Sequence, residues 1–422
     1  MPLVRLAFAA LSLLFLAACA GNPPPGTATP LAATAETRQP ITILISIDGF
    51  RPDYLERGVS PRLSALAARG VSAAMRPSFP SKTFPNHWTL VTGLVPDHHG
   101  IVSNSMENAS YKKQKFTMST EEPYWWGTVD PLWVEAEKAG VRSAAMFWPG
   151  SSVNVGGKVD KVYGFDAFVG GTRPSDWQEY SRYVSAPQRV QTLLDWMRRP
   201  AAIRPRFITL YFDTVDSAGH GEGPDSAAVD HEVAEVDKAI GMLVEGLAEL
   251  GQPTNFVIVA DHGMTAISQD RIVKAESLAD PADYRLFEEG PFASFFPVAG
   301  HERALESRLL RPHDHVQCWR KGEIPARFRY GSNPRIPPYF CLADIGWMIA
   351  SKPFDEKGMH GYDQSALDMA ALFIANGPAI AAVGKLPTFD NVDIAPLLRD
   401  LIGLPAVPGD GSDAPFRNVL RR

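Results

Sequence analysis

The segment from Ile41 to Ile47 is a near-continuous apolar run that ends in Asp48-Gly49. A run this short and this apolar is typical of a strand buried on both faces, as in a parallel sheet covered by helices. Three further segments share the pattern: Phe207 to Phe212, Phe256 to Ala260 and Ala371 to Ala375.

Helical patterns lie between these apolar runs. One helix is predicted to have Ser60 as its N-cap and Pro61 in its first turn, and to end before Gly70. A longer stretch stops at Gly251 and repeats its apolar residues at alternating spacings of four and three; they are Val229, Val233, Val236, Ile240, Leu243, Leu247 and Leu250. Strands that alternate with helices predict an α/β fold, with a mostly parallel sheet sandwiched by helices.

Residues 268–357 differ from the rest of the chain in their residue pattern. Short aromatic-rich runs surround one helix-like stretch, His301 to Leu310; the runs are Phe292 to Phe296, Val316 to Trp319 and Pro338 to Leu342. We interpret this segment as a smaller inserted α+β subdomain, so that the core comprises residues 41–267 and 358–422.

The N-terminus has the pattern of an export signal. Residues 6–18 are apolar apart from Ser12 and lead into Leu16-Ala17-Ala18-Cys19. The run is shorter than the ~20 residues that span a bilayer, which favours a signal peptide over residues 1–18. The last four residues resemble the bacterial lipobox, in which the cysteine is lipidated after cleavage. The alternative is an ordinary cleavage site that contains a cysteine.

Residues 19–40 contain five prolines and no aromatic residue, so they are expected to form an extended tether. In the lipoproteins that this pattern resembles, Ala20 rather than Asp after the cysteine goes with the outer membrane. We therefore expect a periplasm-facing outer-membrane lipoprotein of the cell envelope, held to the membrane by its lipid anchor only. With Cys19 lipidated, Cys318 and Cys341 remain as a pair in an oxidising compartment, which favours one disulfide over two buried thiols.

The charge balance excludes one class of partner. The chain has 41 Lys and Arg against 47 Asp and Glu, a formal net charge of -6, so it lacks the positive field on which binding of a nucleic-acid polymer depends. A small anionic ligand would need a local source of positive charge. No protein partner can be inferred.

Three acidic residues, Asp48, Asp216 and Asp261, stand at or just beyond predicted strand ends. Ligands of open α/β sheets bind at the carboxyl ends of strands, so the three side chains are expected to converge. Taken singly, each of these acids is more often a helix cap or a turn former.

Histidines accompany these carboxylates: His220 lies four residues after Asp216, His262 follows Asp261, and His360 stands between glycines in Gly358-Met-His-Gly361. Mixed N and O ligands suit Zn²⁺ better than Mg²⁺ or Ca²⁺. Two such ions can clamp the attacking and leaving oxygens of a phosphoryl displacement.

A nucleophile is suggested by Thr83. The stretch from Phe84 to Val91 has helix character with Pro85 early in it, so Thr83 is expected at a helix N-terminus, where the dipole favours an anion. Threonine is a poor nucleophile at its free pKa, but coordination to a metal would activate its oxygen.

Seven stretches extend over nearly the whole predicted folded part: Ile47-Asp-Gly-Phe-Arg51, Lys82-Thr-Phe-Pro-Asn-His-Trp88, Asp97-His-His-Gly-Ile-Val-Ser-Asn-Ser-Met106, Phe147-Trp-Pro-Gly-Ser151, Asp216-Ser-Ala-Gly-His220, Ala260-Asp-His-Gly-Met264 and Gly358-Met-His-Gly-Tyr-Asp363. In content and in order they resemble the nucleotide pyrophosphatase/phosphodiesterases, the type I phosphodiesterase family of the alkaline phosphatase superfamily. The lipobox suggests a bacterial member of this family.

The resemblance implies two zinc ions. One would be bound by Asp216, His220 and His360; the other by Asp48, Asp261, His262 and the Thr83 oxygen. It also implies that Thr83 forms a covalent nucleotidyl intermediate, that Asn104 donates a hydrogen bond to a phosphate oxygen, and that Phe84 and Tyr183 form a slot for a nucleobase. Trp88 stands where many relatives have Tyr, which affects none of these roles.

The function expected from the sequence is therefore hydrolysis of nucleotide pyrophosphate and phosphodiester bonds, with release of nucleoside 5'-monophosphate. A glycerophosphocholine- or lysophospholipid-type phosphodiesterase on the same core stays open as an alternative. A sulfatase is disfavoured because no Cys-x-Pro-x-Arg stretch occurs and because Ser185-Ala-Pro-Gln-Arg189, the one Ser-x-Pro-x-Arg stretch, lies outside the stretch that holds Thr83. A non-catalytic binding lipoprotein would have no need for Thr83 together with all six metal ligands.

Overall fold

A computed structural model describes residues 36–421 of the chain. The predicted signal peptide, Cys19 and most of the predicted tether lie outside this range. Within residues 36–421, no helix has the length and the apolar character needed to cross a membrane.

A mixed sheet forms the centre of the described part. The strands of the described part are β1 (Ile41–Ile47), β2 (Val71–Arg76), β3 (Met106–Asn108), β4 (Tyr111–Phe116), β5 (Ser143–Met146), β6 (Lys158–Val162), β7 (Phe165–Val169), β8 (Asp176–Gln178), β9 (Phe207–Phe212), β10 (Thr254–Val259), β11 (Thr265–Ala266), β12 (Ile272–Val273), β13 (Tyr284–Glu288), β14 (Phe292–Pro297), β15 (Val316–Arg320), β16 (Tyr339–Ala343), β17 (Met348–Ile349), β18 (Gly358–Met359), β19 (Ala371–Asn376), β20 (Gly384–Lys385) and β21 (Phe389–Asp390). The order of the central sheet is β20-β2-β19-β10-β1-β9-β5-β8, with β21 also paired to β2. Strand β1 pairs in parallel with β9 and with β10, and all three are buried along their whole length.

Helices flank the sheet. The helices α1 and α6 pack against α8, while α2 and α5 pack against α11. The α-helices are α1 (Pro61–Ala68), α2 (Thr83–Thr92), α3 (Pro96–His99), α4 (Pro123–Trp126), α5 (Leu132–Lys138), α6 (Ala186–Met197), α7 (Thr214–Glu222), α8 (Ala227–Glu249), α9 (Ala275–Leu278), α10 (Glu302–Leu309) and α11 (Ile394–Ile402). The predicted α/β class is confirmed, and the apolar runs coincide with β1, β9, β10 and β19. One detail differs, because β19 is antiparallel to both of its neighbours.

The start of α1 differs from the sequence prediction in its capping group. Ser60 is the N-cap residue, but its side chain makes no capping hydrogen bond. Instead, the buried carboxylate of Asp237 on α8 accepts from the backbone N–H groups of Arg62 (3.2 Å) and Leu63 (2.8 Å). A residue 174 positions away thus satisfies the first turn of this helix, which local pattern could not reveal.

A second, antiparallel sheet of order β13-β14-β16-β15 lies within residues 284–343. It has its own apolar cluster, to which Phe295, Leu305 and Cys341 belong. Cys318 and Cys341 stand opposite each other on β15 and β16 and form a disulfide, which confirms the favoured sequence prediction. The exact limits of the subdomain, residues 268–357, stay a prediction.

Candidate active site

Three neighbouring strands bring the predicted carboxylates together. Asp48 follows β1, Asp261 follows β10, and Asp216 lies in the first turn of α7, just after β9. The backbone at Gly49 has a φ of 68°, and a Cβ there would stand 3.1 Å from Asp216. Glycine at this position therefore allows β1 and α7 to approach closely.

Each of the three carboxylates keeps one oxygen without a hydrogen-bond partner. Asp48 Oδ2 accepts from the Tyr211 hydroxyl at 2.6 Å, and Asp261 Oδ1 accepts from the Gly49 N–H at 3.2 Å. Asp48 Oδ1, Asp261 Oδ2 and Asp216 Oδ1 are buried and unpaired. Buried polar atoms are normally hydrogen-bonded, so three orphaned oxygens in one place require an explanation.

The three predicted histidines are oriented in the same way. His220 Nδ1 donates to Gly358 O (2.9 Å), His262 Nδ1 to Gly263 O (2.9 Å) and His360 Nδ1 to Ser81 O (2.8 Å). A backbone carbonyl can only accept, so each ring carries its proton on Nδ1 and leaves Nε2 free. Backbone carbonyls orient metal-binding histidines in this way, by accepting from the ring nitrogen that does not face the metal.

The free nitrogens face the carboxylates. His262 Nε2 lies 3.0 Å from Asp261 Oδ2 and 3.4 Å from Asp48 Oδ1, and His220 Nε2 lies 3.4 Å from Asp216 Oδ2. His360 Nε2 is 3.7 Å from Asp216 Oδ1. Lone pairs that face carboxylate oxygens at these distances repel one another unless a proton or a cation lies between them.

The electrostatics indicate a cation as well. Burial, together with the carboxylates of Asp261 and Asp216, raises the pKa of Asp48 well above its usual value. Burial also raises the pKa of Asp216. Although burial lowers the pKa of His262, Asp261 outweighs it and leaves that pKa raised. The residues therefore fit a divalent metal ion, whose positive charge would offset the negative charge of the buried carboxylates.

The potential ligand atoms form two adjoining groups. The first group contains one atom from each of Asp216, His262 and His360, and these atoms lie within 4.8 Å of one another. The second group contains one atom from each of Asp48, His87 and Asp261, within the same distance. His262 Nε2 of the first group lies 3.0 Å from Asp261 Oδ2 of the second, so the two groups are neighbours. His262, which the sequence resemblance assigns to the ion of Asp48 and Asp261, therefore borders both groups. Two groups are consistent with two ions.

His87 was not singled out in the sequence, and its hydrogen bonds argue against metal binding. Its Nδ1 donates to Thr83 O at 2.9 Å, and its Nε2 accepts from the Ser46 hydroxyl at 2.8 Å. Burial lowers the pKa of His87, which agrees with a neutral ring. Both nitrogens are thus engaged, and the ring holds the backbone of Thr83 against β1.

Thr83 is the first residue of α2, as expected, and it is buried. Its Oγ1 lies 3.3 Å from His262 Nε2, which in turn faces the carboxylates of Asp48 and Asp261. The helix N-terminus favours negative charge on this oxygen. The hydroxyl is therefore placed to act as a nucleophile beside the ligand cluster.

Asn104 and Phe84 lie beside Thr83. The Phe84 N–H donates to Asn104 Oδ1 at 2.9 Å, so the amide NH₂ of Asn104 remains to donate elsewhere. The Phe84 ring packs edge-on against Phe116 and at a tilt against Trp126, with centroids 6.0 Å apart in each case. Both predicted residues thus lie at the site.

A cavity of about 440 Å³ opens from this cluster. Asp48, Thr83 and Phe84 line one part of it, and Tyr180 lines another. The Tyr180 hydroxyl donates to Asp213 at 2.7 Å. Tyr183, the predicted second aromatic of the slot, is 82% exposed and is not among the residues that line the cavity. The structure therefore brings Tyr180 to the cavity in place of Tyr183, three residues away on the same loop.

Known proteins resemble this chain in sequence. It is 36% identical over 400 residues to bis(5'-adenosyl)-triphosphatase enpp4 of Xenopus laevis, covering 93% of this chain and 82% of that protein. It is 33% identical over 403 residues to ectonucleotide pyrophosphatase/phosphodiesterase family member 3 of Rattus norvegicus, covering 91% of this chain but only 44% of that longer protein. These relatives are vertebrate proteins, so they give no support to the expected bacterial origin.

Solved structures resemble the fold. Human ectonucleotide pyrophosphatase/phosphodiesterase 5 superposes with a TM-score of 0.83 at 30% identity, covering 90% of this chain and 100% of that one. An inactive form of the murine protein in complex with AMP also gives 0.83, at 29% identity, covering 91% and 100%. A sequence model described as type I phosphodiesterase / nucleotide pyrophosphatase matches residues 42–363. The chain therefore belongs to the type I phosphodiesterase/nucleotide pyrophosphatase family of enzymes.

Proposed function

We propose that this enzyme uses two zinc ions to hydrolyse nucleotide pyrophosphate and phosphodiester bonds through a covalent threonine intermediate. One observation carries the proposal: the Nε2 atoms of three histidines face three carboxylates that keep unpaired oxygens, and the Thr83 hydroxyl lies beside this cluster, 3.3 Å from His262 Nε2. Asp216, His220 and His360 would hold one ion. Asp48, Asp261, His262 and Thr83 would hold the other.

Each side chain of the site has a separate role in the proposed reaction. Zinc, when bound, supplies Lewis acidity that offsets negative charge on the hydroxyl and phosphoryl oxygens. Thr83 Oγ1 forms a bond to phosphorus while the bond to the leaving-group oxygen breaks, and water later hydrolyses the nucleotidyl-threonine. The free NH₂ of Asn104 donates to a phosphoryl oxygen as its charge develops. His87 holds the Thr83 carbonyl and so fixes the nucleophile.

The cavity supports a nucleoside as its occupant. Phe84, Trp126 and Tyr180 supply aromatic surface, whereas the charged residues among its lining are acidic, including Glu121 and Glu179. A polyphosphate would meet repulsion there, but an uncharged base would stack. We therefore infer that the nucleoside side of the substrate enters the cavity and that pyrophosphate leaves from the opposite side. The murine relative in complex with AMP supports a nucleotide as the ligand.

Product analysis tests this orientation. Zinc-loaded protein should convert ATP to AMP and pyrophosphate, and a dinucleotide to nucleoside monophosphates. Release of ADP and phosphate would contradict the nucleotide orientation. Faster turnover of glycerophosphocholine than of any nucleotide would favour the lipid-diester alternative, for which the same aromatic cavity would receive choline.

We further propose that the protein is a bacterial outer-membrane lipoprotein, anchored at Cys19 and facing the periplasm. The lipobox-like quartet and the proline-rich residues 19–40 support this proposal. The Cys318–Cys341 disulfide is in keeping with an oxidising compartment.

A further inference from the structure

The segment from Asp97 to Asn104 is held by residues that lie around the second sheet. The Asp97 carboxylate accepts from the backbone N–H groups of residues 331–333. Arg335 donates to Gly100 O at 2.6 Å, and the Tyr330 hydroxyl donates to Val102 O at 3.1 Å. The chain that leads to Asn104 is therefore fastened by residues more than two hundred positions away.

The last of these contacts is made by Ser103. Its hydroxyl donates to both carboxylate oxygens of Glu288, at 2.8 Å and 3.0 Å, and Ser103 is buried. Glu288 lies at an irregularity of β13, where the pairing with β14 shifts register. A bulge of this kind turns a side chain out of the regular strand alternation. Here the Glu288 carboxylate points toward Ser103.

Ser103 is adjacent to Asn104, whose amide oxygen accepts from the Phe84 N–H. The backbone of Asn104 is thus constrained on one side through Ser103 and its side chain on the other through Phe84. With both constraints in place, the free NH₂ has one direction in which to donate. Loss of the Ser103 contact would leave the amide held by a single hydrogen bond.

We propose that Glu288 is a positioning residue that acts through Ser103 to aim the Asn104 amide at the phosphoryl group. This inference rests on the proposed function, because it assigns Asn104 the role described there. It gives the second sheet a part in the reaction although Glu288 itself does not line the cavity.

Steady-state kinetics with bis-p-nitrophenyl phosphate tests the proposal on the zinc-loaded full chain. Ser103→Ala and Glu288→Ala should each lower kcat about tenfold with little change in KM, within the ~10²-fold that a 1 Å misplacement can cost. Glu288→Gln keeps an acceptor for the Ser103 hydroxyl and should retain most of the activity. Glu289→Ala is the matched control, since this neighbouring carboxylate binds the Ser351 N–H instead, and its kcat should be unchanged.

A double-mutant cycle separates positioning from general destabilisation. In an Asn104→Ala background, Ser103→Ala and Glu288→Ala should lower kcat by less than about twofold, because their target is gone. A full tenfold loss in that background would overturn the positioning role while leaving the proposed function intact. If Asn104→Ala itself leaves kcat unchanged, the role of Asn104 in the proposed function fails, and this inference fails with it. Should Glu288→Ala not fold, Ser103→Ala and its hydroxyl-retaining partner Ser103→Thr decide the question.

Discussion

At the scale of single residues, the role of the Thr83 hydroxyl can be separated from that of the proposed metal ligands beside it. Thr83→Ala removes one oxygen and leaves six other ligand side chains, so zinc content should stay near two per chain. Turnover of any diester should fall by roughly 10³-fold or more, because the nucleophile is gone. Zinc content can be measured by atomic emission, and turnover by release of p-nitrophenol.

Thr92→Ala provides the matched control, since Thr92 stands at the other end of the same helix and bonds to Trp88 O. It should keep both zinc and activity. Full activity in Thr83→Ala would show that a water molecule, and not this threonine, attacks phosphorus.

Protonation of the ligands predicts how metal binding depends on pH. The raised pKa values of Asp48, Asp216 and His262 in the metal-free fold mean that each group keeps its proton to a higher pH than usual, and metal binding has to displace such protons. Rising pH removes that competition, whereas His360, whose pKa is lowered by burial, is already neutral. Zinc should therefore raise Tm more at about pH 7.5 than at about pH 5.5.

The comparison is made at each pH between zinc-loaded and chelator-treated protein, so that other titrations cancel. For the metal-free protein, ionisation of Asp48 and Asp216 costs stability as pH rises through their raised pKa values. An equal zinc effect at both pH values would contradict the assignment of these carboxylates as ligands.

Aromatic residues of the cavity can be tested against each other. Tyr180 lines the cavity and Tyr183 does not, so Tyr180→Ala should lower kcat/KM for ATP by roughly 5- to 150-fold, the value of one stacking contact. Tyr183→Ala, three positions away, should have little effect. The same substitutions should affect bis-p-nitrophenyl phosphate less. The opposite ranking of the two tyrosines would support Tyr183, as the sequence predicts, as the second aromatic residue of the slot.

At the scale of secondary-structure elements, the capping of α1 depends on Asp237 and not on Ser60. Asp237→Ala should destabilise the protein by about 1–2 kcal/mol, because two N–H groups of the first turn lose their acceptor. Ser60→Ala should be close to neutral, since the Ser60 hydroxyl is buried without a partner. Urea denaturation of both variants, without zinc, gives the comparison.

Some secondary-structure elements and candidate site residues could be predicted from the sequence, and others could not. The apolar runs identified β1, β9, β10 and β19, and the acids and histidines beyond them were found because strand ends converge in an α/β sheet. The direction of β19 was not readable, since antiparallel and parallel buried strands look alike. Tyr180 and Asp237 were missed because their roles come from tertiary packing, for which no local spacing exists.

At the scale of the whole molecule, the proposed anchor determines where the enzyme acts. Cys19→Ser should prevent lipidation and release the activity from the membrane fraction into the periplasm, without change in kcat. Ala20→Asp should keep the lipid and shift the protein to the inner membrane. Metabolic labelling with palmitate and fractionation would measure both. Unchanged membrane association of Cys19→Ser would contradict the lipobox interpretation.

The proposed ligand set is spread along the chain from Asp48 to His360, on elements that meet only in the finished fold. A nascent or translocating chain therefore has no metal site until residue 360 has joined the fold. On the proposed export route, the enzyme reaches its final compartment before it can bind metal. The ion it carries is then selected by the supply of metals there, and the enzyme stays inactive toward nucleotides inside the cell that makes it.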